Sequence, residues 1–264
     1  MKIDTYDAPI LEQFDDKLEN LSMFFGNGKK ALWNFDKIRQ MQIDRCVMFF
    51  PRDFDKLKSI YKKCELIYEF KSASSISPVY LYDNKLLIAL SPLGGPAAAN
   101  LMEELIFVGI KYFIGVGSCG AIKDANIDPD QYFVPDLAIR EEGVSYHYLP
   151  PSRFVETSTL LNSAIAKTLD AHDEAHFSGI VWTTDAMYRE TPARIAARLA
   201  DGALAAEMET ASLAAIAKAK NLHYSSILYY SDYNNGKQWF TRMYDKYQLR
   251  EELVTYAIEA VLSV

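Results

Sequence analysis

The sequence predicts an α/β fold with a largely parallel sheet, on three observations. Short apolar runs of strand length alternate with helical apolar stripes through most of the chain. Residues 86–122, LLIALSPLGGPAAANLMEELIFVGIKYFIGVGSCGAI, read as one strand, helix and strand in succession. Gly-rich turns follow both strands of that unit, at the sheet edge where open α/β folds bind ligands.

Residues 1–42 are polar, mixed in charge and punctuated by Gly26, Asn27 and Gly28, and are expected to form an arm packed on the domain or on a neighbouring subunit. Residues 46–50 make the first strong strand, followed by Pro51, Arg52 and Asp53 as a strand-end loop and by a helix over 54–64. A second strand covers 66–70, and KSASSIS at 71–77 reads as a surface loop. Segments 79–82 and 85–90 flank Asp83-Asn84, a two-residue hairpin turn. Gly94, Gly95 and Pro96 then open a helix whose first turn presents N–H groups; Leu101, Leu105 and Val108 form its apolar stripe and Gly109 ends it. The strand at 112–116 delivers Gly117, Ser118, Cys119 and Gly120 to the same edge.

Downstream, a strand at 132–140 leads into a polar and aromatic loop, EEGVSYHYLPPSR, over 141–153. A helix over 157–172 is capped by Thr157 or Ser158, with Leu160, Leu161, Ile165 and Leu169 inward. A strand at 177–182 ends at Thr183, Thr184 and Asp185, and a helix follows at 208–220. A strand at 223–230 ends at Ser231 and Asp232, and a helix over 243–262 closes the chain. There is no internal repeat.

With 264 residues, half of them apolar, the chain can bury one large core, and a single domain over 1–264 is expected. The net charge of −7, with no clustered basic stripe, excludes a nucleic-acid surface and leaves a small-molecule partner. The three cysteines, Cys46, Cys64 and Cys119, are odd in number and lie in or beside apolar runs, which suits reduced thiols in a cytosol. No C-x-x-C or H-E-x-x-H pattern occurs, so no metal site is expected. The absence of a signal pattern, and of an apolar run near the ~20 residues of a membrane span, points to a cytoplasmic protein without a membrane partner.

GVGSCG at 115–120 matches the dinucleotide-binding fingerprint in letters, but KDANIDPDQ follows it where that fingerprint needs a helix. The nucleophile-elbow pattern fails as well, because Val116 stands in place of its first glycine. Cys119 has no His in a recognisable partner motif and reads as a small residue in a tight loop. Polar or Gly-rich turns close several strands: Arg52-Asp53, Gly94-Gly95, Gly117-Ser118 and Ser231-Asp232. Glu207 and Glu209 flank Met208 at a helix start, either as acids favoured by the helix dipole or as a paired-carboxylate site.

LGGPAAANLMEELIFVGIKYFIGVGSCGAI, then AAEMETASLAAIA, then ILYYSDYN together resemble the nucleoside phosphorylase superfamily, which contains purine nucleoside phosphorylase, uridine phosphorylase and methylthioadenosine nucleosidase. The resemblance spans about residues 44–262, in the family's order. It implies a three-layer αβα sandwich around a mixed, partly barrel-like sheet, and a homo-oligomer (dimer, trimer or hexamer) in which a neighbour contributes to each site. It also implies cleavage of the N-glycosidic bond of a nucleoside through a ribosyl cation-like transition state, with inorganic phosphate as co-substrate and no cofactor. By the same resemblance, Glu209 matches the Glu that binds the ribose hydroxyls, with Glu207 beside it, and Met208 the Met that lies against the sugar. Ser118, with Gly95 and Gly117 around it, matches the hydroxyl that contacts phosphate or sugar, and Asp232 the acid of the purine-cleaving members. A purine leaves poorly as an anion, so an acid donating to N7 lowers the barrier, typically by ~10²- to 10⁴-fold. TTDAMYRET and GVSYHYLPP add Tyr188, Arg189 and His147 as candidates for the base pocket, surface packing being the alternative for each.

The chain departs from the family at the phosphate. Arg52 stands at the loop glycine's place, Lys56 at that of the following arginine, Pro78 near the arginine donated by a neighbour, and Gly115 at the arginine before the central loop. Arg52, Lys56 or Arg189 could replace this cradle, since a guanidinium clamps phosphate from more than one direction. Otherwise water is the nucleophile, with Asp53 as base, and the enzyme is a nucleosidase. A non-catalytic nucleoside-binding protein is the alternative of another class.

Overall fold

The computed structural model describes residues 9–12, 35–50, 54–122, 130–234, 239–241 and 246–264. Arg52, Asp53 and most of the expected arm therefore lie outside the described residues. The chain runs α1 (Phe35–Gln40), β1 (Arg45–Phe49), α2 (Lys58–Tyr61), β2 (Cys64–Lys71), β3 (Ile76–Tyr82), β4 (Leu86–Leu90), α3 (Gly95–Val108), β5 (Tyr112–Ile122) and β6 (Tyr132–Glu141). It continues through β7 (Phe154–Glu156), α4 (Thr159–Ala171), β8 (His176–Thr184), α5 (Pro192–Ala200), β9 (Ala203–Glu207), α6 (Thr210–Ala219), β10 (His223–Asn234), β11 (Trp239–Thr241) and α7 (Lys246–Leu262).

The described strands join in one mixed sheet, as the family resemblance implied and unlike the largely parallel one that the alternation of elements suggested. β1 pairs parallel with β4 and β5, whereas β3 pairs antiparallel with β2 and β4. β5 pairs with β10 and β9, β10 with β6, β6 with β8, and β8 with β9. These pairings close a ring, so one end of the sheet is a small barrel and the other a twisted wing. α3 and α6 cover one face with Leu101, Leu105, Leu213 and Ile216, and α4 and α7 cover the other with Leu161, Ile165, Leu253 and Val261. β10 feeds both layers by alternation: Tyr224, Leu228 and Tyr230 face the first, Ile227 and Tyr229 the second. Among the described residues no helix is long and apolar enough to cross a membrane.

Local chemistry explains the elements that sequence located. Asp83 and Asn84 take φ of 48° and 56°, as the tight hairpin turn requires, with Lys85 added to the turn. Gly109 ends α3 in the left-handed conformation with φ of 113°, and the Ser158 hydroxyl caps α4 by accepting the Leu161 N–H. Elsewhere the structure corrects the expectation. The helix expected over 54–64 is a 3-10 turn at Phe54–Lys56 followed by the single turn of α2. The glycines at 117 and 120 lie within β5, not in a turn after it, and β10 likewise extends through Ser231 and Asp232. α6 begins at Thr210, two residues later than expected, because the chain first completes β9.

Gly95 has a packing role. It opens α3 against the first turn of α6, and a Cβ there would collide with the Ser212 hydroxyl. That hydroxyl donates to Glu142 Oε2 at 2.6 Å, so rotating it away sacrifices a buried hydrogen bond. Gly95→Ala is expected to destabilise the fold by roughly 1–3 kcal/mol, read as a lower urea midpoint.

Candidate active site

The site forms where β5 and β10 run side by side past the end of β9, beside the N-termini of α3 and α6. β9 finishes at Glu207, whose carboxylate Oε2 accepts the N–H of Glu209 and of Thr210 at 2.8 Å each and the Thr210 hydroxyl at 2.9 Å. Its other oxygen accepts the Thr183 hydroxyl, which in turn accepts the Ala211 N–H at 3.0 Å. Glu207 thus satisfies the donors that the start of α6 leaves unpaired. That chemistry forces the turn from strand to helix and leaves Met208 half-buried between the two acids.

Glu209 is 7% exposed, and its Oε1 accepts the N–H of Gly94 at 2.5 Å. Gly94 presents this N–H from a φ of 91°, a conformation that a side chain would strain. Burial first, and then the charge of Glu207, push the Glu209 carboxyl up to about 8. Burial also raises Glu207, but its hydrogen bonds oppose the shift. Glu209 therefore holds a proton at neutral pH.

In the parallel register of β5 and β10, Ser118 lies beside Tyr229, and Asp232 lies beside Gly120 after a bulge. A cavity of about 120 Å³ gathers Gly117, Ser118, Glu207 and Glu209, and Tyr224 and Arg250 also line it. This space holds a sugar or an anion and not a whole nucleoside, for which pockets of roughly 300 Å³ or more are usual. A larger groove of about 600 Å³ opens by His223 and Ser158, shares Tyr224 with the cavity, and contains none of the expected site residues.

Asp232 is half-buried and does not line the cavity. Its Oδ1 accepts the Ser231 hydroxyl at 2.5 Å, and its Oδ2 lies 3.0 Å from where a Cβ on Gly120 would sit. The carboxyl thus rests on the strand that carries Ser118, two residues further along. The Cys119 thiol is buried, and burial, with the charges of Glu207 and Asp232, raises it well above the usual thiol range, so it stays protonated.

The other candidates lie apart. Lys56, His147, Tyr188 and Arg189 are exposed and outside the cavity lining. His147 sits on a 3-10 turn in a loop pinned by Arg140, which donates to Ser145 Oγ at 2.8 Å, Ser152 Oγ at 2.6 Å and Pro150 O at 2.7 Å. Several cavity residues escaped the sequence reading, Arg250 and Tyr224 among them. Arg250 stands three and seven residues before Leu253 and Ala257, on the buried stripe of α7, and Tyr224 shares the alternation of Leu228 and Tyr230; both periodicities were visible.

The profile of the Phosphorylase superfamily matches residues 48–263. A guanosine phosphorylase of Halorubrum lacusprofundi is 29% identical over 178 residues, covering 67% of this chain and 73% of that protein. A uridine phosphorylase of Haemophilus influenzae is 26% identical over 114 residues, 41% of this chain and 43% of that protein, so the match spans under half its length. Among solved structures, AMP nucleosidase from Bacteroides thetaiotaomicron superposes with a TM-score of 0.65 at 22% identity, over 83% of this chain and 87% of that one, a likeness of fold. The matched region begins in β1 and runs through the closed ring to α7, and on that match the chain belongs to the phosphorylase superfamily.

Proposed function

We propose that this protein cleaves the N-glycosidic bond of a purine nucleoside with inorganic phosphate, releasing free base and ribose 1-phosphate. A phosphate oxygen bonds to C1′ as the bond from C1′ to N9 breaks, the electron pair leaves with the base, and Asp232 delivers a proton to N7. Glu209 engages the ribose hydroxyls with Met208 against the sugar, and Ser118 meets the phosphate. The observation that carries this reading is the shared cavity: an acid pair and a hydroxyl from separate segments meet there with a guanidinium. The similarity to a guanosine phosphorylase supports both the purine and the phosphate. We further propose that the enzyme acts in the cytoplasm as a homo-oligomer whose neighbouring subunit completes the base pocket, without a cofactor.

Hydrolysis is the second reading. A Cβ on Gly115 would fall 2.5 Å from the Tyr224 hydroxyl, so Tyr224 fills the place from which the family's arginine would extend. The experiment is base release from inosine, adenosine and uridine with and without phosphate. Phosphorolysis requires release that depends on phosphate, and the purine assignment requires that it be greater for inosine or adenosine than for uridine. Equal rates in both buffers would make the protein a nucleosidase, and binding without release would make it a nucleoside-binding protein.

A further inference from the structure

We propose that Arg250, on the inner face of the closing helix, is the cation that binds inorganic phosphate at this site, in place of the arginines its relatives carry on other elements. The inference rests on the phosphorolytic reading and names the group that makes it workable.

Position is the first argument. Arg250 Nε donates to the Tyr229 hydroxyl at 3.2 Å, and Tyr229 is the ladder partner of Ser118. Arg250 is thus tied to the strand that pairs with the one carrying Ser118, and both residues line the same cavity. A planar guanidinium held at Nε is suited to forked contact with an anion.

Exclusion is the second. Gly115 cannot carry a side chain while Tyr224 occupies its space, and Lys56 and Arg189 are exposed away from the cavity. Among the described residues Arg250 is the cation that lines it.

Charge is the third. Two ionised glutamates would repel a phosphate dianion across so small a space. The Arg250 guanidinium, on the wall of the same cavity, offsets that repulsion.

The test is phosphate binding by calorimetry, with phosphate KM and kcat, for the wild type, Arg250→Gln, Arg250→Lys and Tyr229→Phe. Arg250→Gln is expected to raise phosphate KM and Kd roughly tenfold or more, leaving nucleoside KM within about twofold. Arg250→Lys should recover part of the loss, and Tyr229→Phe, which keeps the charge but removes the acceptor at Nε, should weaken phosphate several-fold. Should Arg250→Gln fail to fold, the Lys and Phe variants carry the same test. Unchanged phosphate binding in these variants, or a loss confined to Arg52→Gln, overturns the assignment while leaving phosphorolysis standing. Base release that ignores phosphate, from a wild type that still binds it through Arg250, overturns phosphorolysis and keeps the assignment. A wild type that binds no phosphate overturns both.

Discussion

Glu209→Gln is expected to lower kcat/KM for nucleoside cleavage on the order of 10²- to 10³-fold while stabilising the fold above neutral pH. The loss of activity follows from charge. Positive charge develops on the ribose as the glycosidic bond breaks, and a carboxylate in a water-excluded cavity stabilises it far more than a neutral amide does. The gain in stability follows from linkage. The carboxyl moves from an ordinary 4.5 in the unfolded chain to about 8 in the folded one, so the folded state holds its proton more tightly. Below pH 4.5 the acid is neutral in both states and exacts no penalty. Stability then falls as pH rises from there through about 8, by roughly 3–5 kcal/mol once the buried acid is ionised. Gln carries no such penalty, so the difference between the two proteins should open with pH. Melting curves that stay parallel from pH 5 to 9 would contradict the buried, protonated state.

The same proton sets a kinetic signature. With the anion as the active form, kcat/KM should rise with pH along a limb near pH 8, in a region where Asp185 and Glu207 are the negative neighbours. Glu207→Gln removes the nearer charge while keeping one oxygen acceptor for the helix start, with its NH2 turned to the Thr183 hydroxyl, and the limb should move to lower pH. A limb that stays in place would show that the titrating group is another residue.

The two carboxylates also show where sequence reasoning stops. The stretch from Leu86 to Gly109 was legible because apolar spacing, Pro96 and Gly109 agree at every level. β9 was not legible. Ala203, Ala205 and Ala206 have little intrinsic preference for a strand, and their neighbours AAEMET look like the start of a helix. They form a strand because the closed ring needs small, fully packed residues between β5 and β8, a demand that exists only once the ring closes. Glycines 117 and 120 misled in the opposite sense. They read as turn residues, yet they lie in a strand where Phe50 and Asp232 come within 3.3 and 3.0 Å of an added Cβ. The roles of Ser118, Glu207 and Glu209 came from resemblance, and only the fold brings them to one cavity. The spacing of Arg250 from Leu253 and Ala257 marks it as an inner-stripe residue, but only the fold shows that this stripe meets the cavity.

Asp232→Asn is expected to reduce kcat for ordinary purine nucleosides by about 10²- to 10⁴-fold, the range of a lost general acid. The side chain makes this test clean. The amide can still accept the Ser231 hydroxyl and rest against Gly120, so the bulge and the pairing of β10 with β5 should persist and thermal stability should change little. Substrate choice then separates acid catalysis from a structural role. A purine nucleoside methylated at N7 carries a positive base that departs as a neutral molecule and needs no proton. Its cleavage should survive in Asp232→Asn within about tenfold, whereas that of inosine collapses. Loss of both substrates together would assign Asp232 to binding or to the shape of the strand end. Retention of both would leave the half-buried acid outside the reaction, as its place beyond the cavity lining allows. The comparison decides whether the acid pole sits on β10, next to the strand that carries Ser118, or must be sought in the base pocket that a neighbouring subunit would close.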